Sequence, residues 1–324
     1  MRKHSCVAAL GLVFCLAPGG QANDSAVVAF GYQLPTEISA APGQLLTVLL
    51  HGIDAPQQRL SASAGRWPTT LGTISATLTA ATQTGIQTLL LPIGSVFPFS
   101  NCAPTGGSTC ETLTAVTLQI PFEMLGTSPS QSLVPPLPAA VLKVSDQSGH
   151  AATIFVAPLF DQIHVVKSFD TITGGEGGGD PAVTHANGSA VSSESPAKPG
   201  ETLVMYAVGL GSTNPAVATG ALSPASPLTF VQEAFKLHYD FQPNSTPSPG
   251  VQAPSTGDPA PTPAPVFVGL SPGFVGLYQV NFVVIGPPQG TLPCRGPVVS
   301  NLTVTVVGST SWDGAAICVD TSGN

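Results

Sequence analysis

The chain repeats itself, and the repeat constrains the fold more than any other feature. "AAPGQLLTVLLHGI" (residues 40–53) aligns with "AKPGETLVMYAVGL" (residues 197–210) at an offset of 157. Five positions are identical: Ala40/Ala197, Pro42/Pro199, Gly43/Gly200, Leu46/Leu203 and Gly52/Gly209. "VTLQIP" from Val116 matches "VNFVVI" from Val280 at an offset of 164, and "ATIFV" from Ala152 matches "AAICV" from Ala315 at 163. Three matches in order, with little drift, predict a duplicated unit of roughly 130–140 residues, far too long for a solenoid repeat. Both copies of the first match keep a Pro-Gly turn, an apolar run and a glycine that ends the run. In such a turn Pro fixes φ and Gly supplies φ > 0.

The segments between turns read as strands. "TISATLT" alternates Ile74, Ala76 and Leu78 with Ser75, Thr77 and Thr79. "FKLHYDFQ" sets Phe235, Leu237, Tyr239 and Phe241 on one face, with Lys236, His238, Asp240 and Gln242 on the wet one. This is the period of two expected of a half-buried strand. "LLTVLL" and "TLVMYAV" are apolar on both faces, as inner strands can be. Charged residues make up 8% of the chain, against 35 Gly and 33 Pro. Few charges, frequent turns and short β-rich runs predict an all-β chain of two tandem β-sandwiches.

Residues 1–22 have the form of a signal peptide. Arg2 and Lys3 precede an apolar run of about 13 residues, and "GGQA" offers a cut before Asn23. That run is too short to span a bilayer, and no later one reaches the length a membrane helix needs. The expected division is 23–168 for the first domain, 169–182 for a Gly-rich linker ("GGEGGGDP") and 183–320 for the second. The second carries a Pro-rich insertion, 243–265, with eight prolines. Without Arg2 and Lys3, 7 basic residues face 17 acidic ones, a net charge of −10. This disfavours nucleic acid and anionic membrane as partners. Four cysteines remain: Cys102, Cys110, Cys294 and Cys318. An even number in an exported chain reads as disulfides, and the local pairings Cys102–Cys110 and Cys294–Cys318 are favoured among three. No CxxC and no nearby histidine supports a metal, so neither metal nor cofactor is expected.

Two long elements of the second half resemble a known family. In "SPAKPGETLVMYAVGLG", Pro196, Ala197, Pro199, Gly200, Glu201, Tyr206, Gly209, Leu210 and Gly211 match its PGE-to-GLG element. In "GLSPGFVGLYQVN", Gly269, Leu270, Pro272, Gly273 and the run 275–281 match its second. The chain is thereby similar, over about residues 181–320, to the Solibacter-type uncharacterised C-terminal domain family. Ser195 stands where that family usually has Asn, and Ser271 where it has Ala. The resemblance implies a secreted, immunoglobulin-like module akin to IPT/TIG domains. It brings no catalytic or binding residue. The first half reads as a diverged copy of the same unit.

Candidate chemistry is sparse. Ser195-x-x-Lys198 has the spacing of some acyl-transfer enzymes, but Pro196 and Pro199 oppose the helical turn that chemistry uses. His51, His150, His164, His185 and His238 are available for a triad, as is Asp161 three residues before His164, yet no G-x-S-x-G elbow occurs. Trp67, Trp312, Tyr32 and Phe274 sit among Gly, Pro and polar residues. There they serve either as a ligand platform, with Trp67 and Trp312 the leading pair, or as caps on the core. The expected function is non-catalytic: a secreted or envelope module with structural, adhesive or binding duties toward an extracellular protein or polysaccharide. The alternatives are a glycan-binding protein that uses exposed aromatics and, further off, a secreted hydrolase.

Overall fold

The computed structural model describes residues 37–102, 110–127, 138–170, 172, 179–239, 244, 264–296, 298, 302–306 and 312–323, with backbone alone at Glu37, Asn101, Cys102, Trp312 and Asp313. The described residues form strands and turns with no α-helix.

In the N-terminal half, β2 (Leu45–Leu50), β8 (Cys110–Gln119), β7 (Ile93–Cys102) and β3 (Leu60–Ser61) form one sheet in that order. The other runs β1 (Glu37–Ala40), β10 (Ala151–Pro158), β9 (Ala140–Ser145), β5 (Ile74–Thr82), with β4 (Thr70–Leu71) and β6 (Gly85–Leu90) also on β5. β5 alternates buried and half-buried along all nine residues, as its sequence predicts. Val48, Val96 and Leu118 of the first sheet meet Leu78, Leu142 and Val156 of the second in one core. Full burial of each such side chain stabilises by roughly 1.5–3 kcal/mol.

The C-terminal half pairs its strands in the same order. β13 (Thr202–Val208), β18 (Tyr278–Val283), β17 (Phe267–Leu270), β15 (Phe230–Val231) and β14 (Thr213–Asn214) follow one another, with β11 (His164–Val165) and β12 (Val183–His185) on the far side of β13. β16 (Phe235–Tyr239), β19 (Leu302–Val306) and β20 (Trp312–Ala315) form the facing sheet. Met205, Tyr278, Val280 and Phe282 meet Leu237 and Val304 in its core.

Equivalent residues make equivalent hydrogen bonds. Leu46 pairs with Leu118, and Leu203 with Phe282. Gly43 N–H donates to Ile120 O (3.0 Å), and Gly200 N–H to Val284 O (2.8 Å). The Gln44 Oε1 accepts from Ala41 N–H at 2.8 Å, and the Glu201 Oε2 from Lys198 N–H at 2.9 Å. Leu159 N–H reaches Ala40 O, and Asp320 N–H reaches Ala197 O. The repeat therefore preserves the turn together with its cap.

Two expectations need adjusting. His238 is not on a wet face: it is 5% exposed, and its Nε2 lies 3.3 Å from Thr305 Oγ1. The strand β2 ends its sheet rather than lying inside it, and its Leu45 packs on Val166 and Val208 of the other half. The chain also joins the C-terminal sheet at β11, ahead of residue 168. Ser168 N–H donates to Asp180 O and Ala182 N–H to Val166 O, so the flanks of the Gly-rich segment pair with each other. Residues 173–178 themselves lie outside the described residues, as do the signal peptide and nearly all of the Pro-rich insertion.

Cys294 and Cys318 form a disulfide. Cys102 and Cys110 are register partners where β7 meets β8. The Cys102 side chain lies outside the described residues.

Candidate functional site

The two halves meet along a seam built by polar groups that neither half could satisfy alone. Gln119, at the end of β8, is 1% exposed. Its Oε1 accepts the Gly220 N–H at 2.6 Å, across 101 residues of sequence. Trp67 N–H donates to Gly220 O at 2.9 Å. Beside it, Phe122 N–H donates to Thr219 Oγ1 (3.0 Å), and Thr219 O–H donates to Glu123 Oε2 (2.6 Å). Arg66 Nη2 completes the set on Thr219 O (2.9 Å). Buried polar groups left unpaired are expensive, so this network fixes how the halves meet.

Two pockets open along the seam. The larger, about 560 Å³, lies between the β5–β6 turn, the 122–126 segment and residues 212–218. Its lining combines apolar side chains (Phe122, Phe160, Val217) with polar ones (Gln83, Thr84, Gln87) and the carboxylate of Glu123. The smaller, about 380 Å³, is lined chiefly by Leu45, Trp67, Ile172, Leu222, Phe274 and Leu277. Both volumes fall in the range of small-ligand sites, roughly 300–1,000 Å³.

The aromatic candidates divide accordingly. Trp67 and Phe274, 207 positions apart in sequence, line the same smaller pocket. Phe274 is 55% exposed. Trp67 is half-buried, its ring held against Gly94 so closely that a Cβ there would sit 2.4 Å from it. Trp67 therefore serves the seam as well as the pocket. The Trp312 side chain and Tyr32 lie outside the described residues.

The serine and histidine candidates fall into pairs that sequence spacing concealed. Ser195 meets His185 rather than Lys198: Ser195 Oγ lies 3.1 Å from His185 Nε2, and His185 Nδ1 lies 2.6 Å from Glu201 Oε1. The order of groups is that of a Ser–His–acid relay. Two features set it apart from one. The same Nε2 is 3.0 Å from the Ser195 carbonyl oxygen, which an N–H satisfies and a lone pair does not. The residue after the serine is Pro196, which has no N–H to contribute to an oxyanion hole. His185 thus ties β12 to the loop before β13. Lys198 contributes its backbone N–H to Glu201.

Three more histidines pair with acids. His51 Nε2 is 2.7 Å from Glu111 Oε1. His164 bonds Asp170, six residues on, and Asp161 is itself buried. Burial pushes the Asp170 carboxyl up, and the His164 ring with the Lys167 and Ile172 amides outweighs it, leaving the pKa below the usual value.

The remaining group, Asp54, Asp146 and His150, was not legible from spacing. One ligand-type atom of each lies within 4.8 Å of the others. Asp146 has a fully buried carboxylate. It accepts Asp54 N–H and His150 N–H, each at 3.0 Å, and contacts His150 Nδ1 at 2.8 Å. Burial raises its pKa, and these bonds more than reverse that, holding it below the usual value. The His150 pKa is raised by its bond to Asp146. The arrangement staples the β9–β10 turn to the loop after β2.

Comparison with protein-family models and with curated proteins finds no match to the chain.

Proposed function

We propose that this chain is an exported, non-catalytic binding protein of two tandem immunoglobulin-like β-sandwich domains, related to the Solibacter-type C-terminal domain family. Its ligand would sit in the seam between the domains, in the cell envelope or outside the cell. The observation that carries this reading is the seam itself. Gly220 and Thr219 of one half are locked onto Gln119 and Glu123 of the other, and a 560 Å³ pocket lies beside the lock. A rigid concavity between two domains is where small-ligand sites are commonly found. The matched turns, caps and strand order of the two halves support tandem domains of one ancestry. The Ser195 carbonyl on His185 Nε2 and the lack of an N–H at Pro196 support a structural rather than nucleophilic serine.

The test uses the full chain and the chain without residues 1–22. The full chain should be recovered outside the cytoplasm, and the chain without residues 1–22 should co-sediment saturably with envelope polysaccharide or protein. Turnover of ester, peptide or glycoside substrates that disappears in Ser195→Ala would overturn the non-catalytic assignment.

A further inference from the structure

We infer that the larger seam pocket takes a neutral saccharide ring. This rests on the binding reading above and adds the ligand's chemical class. A sugar ring presents a C–H face of apolar character and a girdle of hydroxyls. The pocket lining offers both kinds of group. Phe122 and Phe160 supply an apolar wall, while Gln83, Gln87 and Ser212 supply polar groups.

The hydrogen-bond inventory makes the match specific. Thr219 holds Glu123 Oε2 at 2.6 Å, while Glu123 Oε1 has no partner among the described residues. Thr219 is itself buried and fixed by the Phe122 N–H, so the carboxylate is aimed before a ligand arrives. Gln87 donates one Nε2 N–H to Thr84 Oγ1 (2.7 Å), which leaves its second N–H and its Oε1. The Gln83 amide and the Ser212 hydroxyl have no side-chain partner among the described residues. The open groups are acceptors (Glu123 Oε1, Gln87 Oε1) together with amide and hydroxyl groups that both donate and accept, and a polyhydroxylated ligand can meet both.

Charge narrows the class. No Lys, Arg or His lines the pocket, and Glu123 does. A phosphate, sulfate or uronate would meet a carboxylate with no counter-charge. A wholly apolar ligand would strip water from Glu123 Oε1 and leave that oxygen unpaired.

The experiment is a glycan array with the chain lacking residues 1–22, followed by titration calorimetry on the best neutral oligosaccharide and on a simple polyamine. The variants are Gln83→Ala, Phe160→Ala and, in the smaller pocket, Phe274→Ala, each checked for an unchanged melting profile. Gln83 is exposed, so that variant keeps the fold. We expect saturable neutral-glycan binding, weakened roughly two- to tenfold by Gln83→Ala and roughly tenfold by Phe160→Ala, and unchanged by Phe274→Ala. Selection of sulfated or uronic glycans, tighter binding of the polyamine, or neutral-glycan binding indifferent to both variants overturns the saccharide assignment. An empty array from a chain that still co-sediments with envelope material overturns the saccharide assignment and leaves the binding reading standing. Failure in both assays removes both.

Discussion

Alanine at Gly43 and at Gly200 puts one perturbation into both copies of the repeat. The two turns share a conformation, with φ 76° at Gly43 and 84° at Gly200. An L-residue held there costs about 1–2 kcal/mol. At Gly200 the added Cβ meets nothing within 4 Å, so the cost ends with the backbone. At Gly43 it would lie 2.0 Å from Phe122 Cε1 and 2.4 Å from Cζ. The ring must move, yet it packs against the C-terminal core, and the Phe122 N–H is tied to Thr219. Overpacking of this kind adds about 1–3 kcal/mol. We therefore expect a loss of about 1–2 kcal/mol for Gly200→Ala and about 2–5 kcal/mol for Gly43→Ala. Urea unfolding reads the difference directly. With m of roughly 1–3 kcal/mol/M, an excess of about 2 kcal/mol moves the midpoint by roughly 0.7–2 M. In a Phe122→Ala background the excess at Gly43 should vanish. Equal midpoints for the two alanine variants, or an excess that survives removal of the ring, would refute the argument.

Two further predictions concern the seam and the β9–β10 turn. Gln119→Leu keeps the volume and leaves the buried Gly220 N–H without its acceptor, so stability should fall by about 1–3 kcal/mol and the Gly220 amide should exchange faster with solvent. An unchanged midpoint would mean that the seam does not hold the halves. For the Asp146–His150 pair, the lowered carboxyl pKa contributes stability above the unfolded value near 4 and loses it as pH falls through the folded value. The raised imidazole pKa contributes in full below about 6.5 and loses it as pH rises through the folded value. The gap in melting temperature between the native chain and Asp146→Asn should thus be widest between about pH 4 and pH 6.5. A gap that does not vary from pH 3 to pH 9 would disprove the coupling.

Local pattern carried most of the fold. The period of two in β5 and β18 reports which face is buried, because alternation is set by the strand itself. The Pro-Gly turns are legible because only Gly tolerates the required φ. Elsewhere pattern gave way to neighbours. His238 is polar by type and outward by alternation, yet Thr305 on β19 gives its ring a partner. The two apolar faces of β2 read as an inner strand, and Leu45 at its start is covered by the other half of the chain. No window of sequence encodes which neighbour supplies the cover.

The same limit explains the fate of Ser195. By spacing it belongs with Lys198, three residues on. In the structure the Glu201 side chain does two things at once: Oε2 caps the turn at Lys198 N–H, and Oε1 holds His185. The N-terminal copy keeps only the first of these, through Gln44 on Ala41 N–H. An amide cap suffices for the turn, so the turn cannot be what calls for a carboxylate at Glu201. The carboxylate is required where a histidine must be held, and His185 in turn holds the Ser195 carbonyl. Replacing Glu201 with Gln should therefore leave the turn intact while loosening the 192–195 loop. Proteolytic nicking confined to that loop is the expected result, and a global loss of stability would show that the carboxylate serves the turn after all.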